Sequence, residues 1–563
     1  MISDDYAYLA GIEVKVLLAS PERRGVSRCT FTEENLALIS RHNSTAAAIH
    51  LFAIAMVLSA HGVFAQSTAV TRPVEHPQKI KKTNLGSEIN SQYSELAPII
   101  SPDGNLLFFT MGVGHPDNLG EEHLQDCYVS RKMSDGHWGA PRNLGAPINS
   151  TGNDAISGVS TDGSVLFVKN FGYNHRNGLC FARFVGRGQW KLDSITIDKY
   201  SNESQLATQC ISGDGSAIIF SAQREGGVGG TDLYVSTLVD PATNHFGAPK
   251  NLGSLINTSG DEFAPFLAVD GRTLYFSSNR PGGYGDADVY VAHRLDDTWT
   301  NWSPPKNLGP EINTPGMDAY YSVPASGDVA YFSSSNGANH MDLFMVTLSD
   351  DLRPNPVVLI SGKAVNQKGQ PLGAAVACRD LLTDSIIATS TSNSYTGNFA
   401  LIVPVGREYS VTADFPKYLP YAGHLDLTSP GVAREMSMHI MLDTAVGGAK
   451  TTLANIFFGL DSAVLKPESS FELDRLGRIL HQNPTWSVTI EGFTDSTGTT
   501  DHNLELSKER AAAVVSYLSS QGIDPARLVA EGLGPNGAIA SNATEQGRSQ
   551  NRRVVFVLRE TGN

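Results

Sequence analysis

Two charged residues fifteen positions apart, Asp495 and Arg510, stand in a setting that could bind a ligand. Asp495 lies in E-G-F-T-D-S-T-G at residues 491–498, and Arg510 in N-L-E-L-S-K-E-R-A at residues 503–511. A third segment, N-R-R-V at 551–554, adds two more guanidiniums. Asn503 and Arg510 are seven apart, which returns an α-helix almost to the same face about two turns on. Val514, Val515 and Leu518 continue the helical spacing, and Gly522 follows where a left-handed cap would stop it, so the spacing predicts a helix over 503–521. Residues 486–491 alternate, with Val488 and Ile490 on one face, and end at Gly492, which reads as a strand. Asp495 then falls in the loop between strand and helix. A carboxylate there, facing a guanidinium on the helix, suits a zwitterion: the carboxylate takes an ammonium group, and the planar guanidinium takes a carboxylate in two parallel hydrogen bonds.

These residues resemble the OmpA-like peptidoglycan-binding family. The resemblance runs over residues 456–559. It is carried by I-F-F-G-L-D-S-A-V-L at 456–465, by Asp495, Asn503, Leu506, Ser507, Arg510 and Ala511, and by Asn551, Arg552 and Arg553. It implies an α/β domain in which Asp495 and Arg510 hold the amine and carboxylate of diaminopimelate in the peptidoglycan stem peptide. Phe493, Thr494, Asn503 and Arg553 are then expected around them. Phe493 stands where the family motif has His.

The elements that deliver this domain are repetitive. N-L-G-S-E-I-N at Asn84 returns at Asn143, Asn251 and Asn307, with a degenerate copy near Leu192. Tight turns follow at Ser101, Thr161, Gly213, Val269 and Ser326, each leading into an alternating run. A further strand opens at Asp126, Asp232, Asp288 and Asp342, whereas Gly178 stands at that place in the second unit. Units of this length, with about four short strands each, cannot bury both sheet faces except against neighbours in a ring. The expectation is an all-β propeller of about five blades over residues 79–350, with residues 79–86 supplying the missing outer strand of the last. The repeats resemble the TolB-type propeller. Glu95, Asp154, Glu262 and Asp318 recur at one position per unit and are expected to accept backbone N–H groups at the strand entrance rather than to bind metal.

Residues 356–442 alternate between Gly and Pro turns and predict a small antiparallel β-sandwich, which resembles the regulatory-like domain found beside carboxypeptidases. Residues 443–452 read as a short flexible linker, and the binding domain is expected over 453–560, its first helix opened by Pro467 and carrying Leu473, Leu476, Ile479 and Leu480 inward.

Composition bounds the rest. A chain of 563 residues holds several cores, and 54 glycines with 28 prolines favour turns and β-structure. A net charge of -15 argues against a nucleic-acid partner, which needs a basic surface. Cysteines at 127, 180, 210 and 378 show no metal-ligand spacing, and their even number is compatible with pairing or with buried thiols. No nucleophile elbow, zinc-protease, phosphate-loop or dinucleotide motif is present, so neither a cofactor nor an enzymatic role is expected. The reading is a non-enzymatic envelope protein of a Gram-negative periplasm or outer membrane, bound to peptidoglycan and presenting its propeller to other envelope proteins. The order of propeller, sandwich and OmpA-like domain resembles the peptidoglycan-tethering subunit of the type IX secretion system. The alternative is a wall-anchored propeller enzyme acting on glycans, for which carboxylates would have to converge at the propeller mouth.

Export is expected from the apolar run at residues 46–60, followed by Val63 and Ala65 at the spacing that signal peptidase reads. N-terminal sequencing of the envelope form should begin at Gln66; an intact chain starting at Met1 would overturn this.

Overall fold

The computed structural model describes residues 80–170, 178–204, 206–335, 340–429 and 434–559. The export signal therefore lies outside the described residues.

Among these, five small sheets follow one another in the first region. The first is Glu95–Ile100, Leu106–Met111, Asp126–Arg131 and Arg142–Asn143; the fourth, Glu262–Leu267, Thr273–Ser278, Asp288–His293 and Lys306–Asn307, repeats it. The fifth is built from Asp318–Ser322, Val329–Ser335 and Met341–Thr347, and its outer strand is Lys82–Asn84 from the start of the described chain, antiparallel to Met341–Thr347. The entry strand of each sheet packs on the next, and that of the first packs on the fifth, so the five sheets form a closed cycle. Their shared faces are apolar, as with Leu107, Phe109 and Tyr331 between the fifth and first sheets and Tyr275, Tyr321 and Phe332 between the fourth and fifth. Each turn glycine, from Gly104 to Gly327, has a φ between +65° and +73°, the region that favours glycine.

The repeated N-L-G-x-x-I-N motif has one physical task, which is to satisfy the polar groups at a sheet edge. Asn251 Oδ1 accepts the N–H of Gly253 and the amide of Asn257, and Asn257 in turn donates to Leu233 O and accepts from Leu233 N. Asn251 Nδ2 donates to Asp232, the residue that opens the third strand. The same five bonds recur around Asn84, Asn143 and Asn307. The second sheet lacks the motif, and a longer fourth strand, Trp190–Ser194, covers its edge instead.

Glu95, Asp154, Glu262 and Asp318 are wholly buried, and each accepts the backbone N–H and the hydroxyl of the Ser or Thr four residues earlier. Two also meet cations: Arg280 lies 3.4 Å from Glu262 and Lys82 lies 3.4 Å from Asp318, with Lys82 resting over the rings of Phe332 and Phe344. Neither Glu95 nor Asp154 has an ion pair with a Lys or Arg among the described residues, and burial pushes both up to about 7 despite the hydrogen bonds from Ser91 and Ser150.

Residues 357–442 form two sheets around one core, one of Asn398–Pro404, Val357–Asn366 and Glu435–Leu442 and one of Ile386–Thr391, Ala375–Asp380, Glu408–Asp414 and Tyr421–Asp426. The arrangement is not wholly antiparallel. Glu435–Leu442 runs parallel to Val357–Asn366, because the chain crosses from the second sheet back to the first before laying down its last strand.

Residues 443–452 are not the free linker expected. Leu419 N donates to Asp443 O, Ala445 N donates to Lys417 O, and Lys450–Leu453 is already a strand of the C-terminal sheet, paired with Val554–Leu558. The small polar composition misled because the stretch makes its bonds through backbone groups, which composition does not reveal. Leu419 of the sandwich lies inside the C-terminal core, and the buried Arg475 guanidinium donates to Glu472, Asp414 and Tyr421 O across the junction. Cys127, Cys180, Cys210 and Cys378 are buried free thiols.

The C-terminal sheet runs Lys450–Leu453, Val554–Leu558, Val488–Phe493, Leu528–Gly534, covered by helices Ser470–Gln482 and Thr500–Ser520. Leu473, Leu476 and Leu480 are buried in that core, while Ile479 is half-buried. Two glycines set how closely the second helix sits. A Cβ on Gly492 would stand 2.1 Å from Ser507 O, and one on Gly532 would stand 2.4 Å from Lys508 N.

Lys82→Ala removes the cation from buried Asp318 and is expected to cost about 1–3 kcal/mol. A larger loss should follow deletion of residues 80–86, read as a broadened, lower melting transition; unchanged melting would mean the last sheet does not need this strand. The raised Glu95 and Asp154 carboxyls keep protons in the folded state that the unfolded chain has released, so their contribution is present in acid and is lost as pH rises towards about 7. Glu95→Gln should flatten the fall in melting temperature between pH 5 and pH 8.

Candidate functional site

The site sits where strand Val488–Phe493 hands over to helix Thr500–Ser520. Thr499 Oγ1 accepts the N–H of His502 and caps the helix. One turn in, the buried Asn503 donates from Nδ2 to Thr497 O at 2.9 Å, which pins the loop to the helix. The pinned Thr497 N–H donates to Asp495 Oδ1 at 2.8 Å.

Arg510 lies two turns after Asn503 on the same face and is buried. Its Nε donates to Ser462 O at 3.0 Å, Nη2 approaches Gly459 O at 3.5 Å, and the guanidinium lies over Phe458. The opening segment at 456–465 therefore orients the helix arginine. Arg510 and Asp495 make no ion pair with each other within 4 Å, yet they feel each other's charge. Burial and the neighbouring Arg552 lower Arg510 from its ordinary value, against the pull of Asp461 and Asp495.

The guanidinium hydrogen-bonded to Asp495 belongs to Arg552, whose Nη1 donates to Oδ2 at 2.7 Å. Arg552 Nη2 donates to Glu545 at 2.8 Å. Burial pushes the Asp495 carboxyl up, but the bonds from Arg552 and Thr497 outweigh it and hold the group below its usual range.

The other expected residues divide. Arg553 points away from Asp495. Its guanidinium stacks 3.8 Å above the ring of Phe493 and donates to Gly537 O, so these two form a support behind the loop. Thr494 is buried, its N–H bound to Gly534 O and its hydroxyl without a hydrogen-bond partner among the described residues. Glu545 and Thr497 were not singled out from sequence, and Arg552 was read only as part of the closing motif, not as a site residue. N-R-R-V carried the signal for Arg552, but this residue caps the end of helix Glu545–Asn551 and Arg553 leads into strand Val554–Leu558, and only the fold shows which of the two meets Asp495. Among the described residues no cluster of His, Cys, Asp and Glu assembles at metal-binding distances.

The arrangement holds one carboxylate and one guanidinium apart, each anchored from behind, with Arg510 Nη1 making no hydrogen bond among the described contacts. Opposite fixed charges with a gap between them can take a ligand that carries both signs.

The model of the OmpA family matches residues 457–552. The chain is 44% identical over 104 residues to the probable lipoprotein YiaD of Escherichia coli (strain K12), covering 18% of this chain and 48% of that one. It is 45% identical over 105 residues to outer membrane protein A of Bordetella avium, 19% of this chain and 54% of the relative. A third relative is the peptidoglycan-binding protein ArfA of Mycobacterium tuberculosis (strain ATCC 25618 / H37Rv), 43% identical over 103 residues, 18% of this chain and 32% of that one. The chain spans about half or less of the length of these curated relatives. Residues 457–552, which hold Asp495, Arg510, Glu545 and Arg552, are a C-terminal domain of the OmpA family, and the many-sheeted region before it has no assigned family.

Proposed function

We propose that the chain is a non-enzymatic envelope protein that binds peptidoglycan non-covalently through this domain, with Asp495 taking the ammonium and Arg510 the carboxylate of diaminopimelate in the stem peptide. One observation carries the reading: both charges are anchored by other groups and held apart, so neither neutralises the other across the gap. Relatives named as outer-membrane and peptidoglycan-binding proteins support the setting.

The cyclic first region is read as a five-bladed propeller of TolB type, and the sandwich as its regulatory-like neighbour. Together they would present a surface to other envelope proteins, the type IX secretion assembly being one setting that this order of regions resembles. Thr494, Asn503, Phe493 and Arg553 are read as the frame of the site. Asn503 holds the loop, and the Phe493–Arg553 stack backs it.

Arg510→Ala leaves the ligand carboxylate unpaired, and Asp495→Ala leaves its ammonium unpaired. Each should cost about 2 to 5 kcal/mol of binding, roughly a thirtyfold to several-thousandfold loss. Co-sedimentation with purified peptidoglycan should then fail for both, while each variant still melts cooperatively as a folded chain. Phe493→His keeps both charges and should sediment almost as the wild type does. A well-folded Arg510→Ala that still sediments would defeat the assignment.

A further inference from the structure

One charge at the site has no role in that reading, the Arg552 guanidinium. Both oxygens of Asp495 are already engaged, Oδ1 by the Thr497 N–H and Oδ2 by Arg552. The Thr497 N–H cannot leave, because its loop is tied to Asn503. Arg552 can leave. Its side chain is 37% exposed against 11% for Asp495, and its other arm is held by Glu545, which is itself fastened by Arg548. An arriving ammonium would compete with the Arg552 guanidinium for the single charge of Asp495, and Glu545 would keep a displaced Arg552 beside the site. When no ammonium arrives, Arg552 remains and Asp495 stays neutralised.

Resting on the zwitterion reading, we propose that Arg552 stands in for the ligand's ammonium and so sets the specificity of the site: it lets Arg510 accept carboxylate ends whose amine is acylated as well as those whose amine is free. Without Arg552, a bare Asp495 carboxylate would repel an acid that brings no cation, and an acid that brings one would meet no competitor. Removal thus acts with opposite sign on the two ligand classes. A residue that merely supports the fold, or one that simply holds the ligand carboxylate, would weaken both.

The test is calorimetric titration of the full chain with free diaminopimelate and with its N,N′-diacetyl form, for wild type, Arg552→Gln and Arg552→Met. In both variants the zwitterion should bind roughly three- to tenfold more tightly and the acetylated acid more weakly by a similar factor, about the strength of one partly exposed ion pair. Their ratio should widen by about tenfold or more. Equal changes for the two ligands, or weaker binding of the zwitterion in both variants, would overturn the proposal while leaving the site reading intact. If neither compound nor purified peptidoglycan binds the wild-type chain, the site reading fails, and the role of Arg552 fails with it.

Discussion

A four-stranded sheet of six-residue strands is too small to bury both of its faces, and the first region of this protein is governed by that constraint. Each sheet lends an apolar face to the next, and the cycle closes where the entry strand of the first sheet packs on the fifth, whose outer edge Lys82–Asn84 completes from the other end of the region. The ends of the strands are then buried too, and their polar groups need partners. The asparagine pairs at Asn84, Asn143, Asn251 and Asn307 and the four buried carboxylates supply them. What reads as a repeated motif is therefore the repeated solution of one satisfaction problem. The solution is uneven: among the described residues Glu262 and Asp318 each pair with a Lys or Arg, whereas Glu95 and Asp154 do not and are held nearer neutrality.

The same rule joins the sandwich to the C-terminal domain. Arg475 is buried and would be costly unpaired, so Glu472 from its own helix and Asp414 from the sandwich both meet it. With Leu419 inside the C-terminal core and residues 443–453 bonded on both sides, the binding domain is seated on the sandwich instead of tethered to it.

At the site, closeness matters more than charge alone. Helix Thr500–Ser520 approaches its sheet through Gly492 and Gly532, which places Asn503 against the loop and Arg510 against the 459–462 carbonyls. A larger residue at either glycine would lift the helix and separate the two charges from their supports. The chemistry of the site is thus a consequence of backbone packing behind it.

Much of this was legible in the sequence. The helix read over 503–521 forms at Thr500–Ser520, because heptad-like spacing and a following glycine are local signals. The five units were visible because their turns and asparagines recur at fixed offsets, and the partner strand for the last unit followed from a motif left without strands before it. Other features depend on groups distant in sequence. Arg552 and Arg553 are equivalent in the string N-R-R-V, but the passage from the helix end into the last strand turns one to Asp495 and the other to Phe493. Asp495 and Arg510 were expected to face each other, but each is drawn to a nearer partner that the sequence does not mark as near, Arg552 for one and the backbone of Gly459 and Ser462 for the other. Sequence determined which residue types and local elements this protein has. Only the tertiary structure decided which charge meets which, because those contacts are set by packing between segments some fifty residues apart.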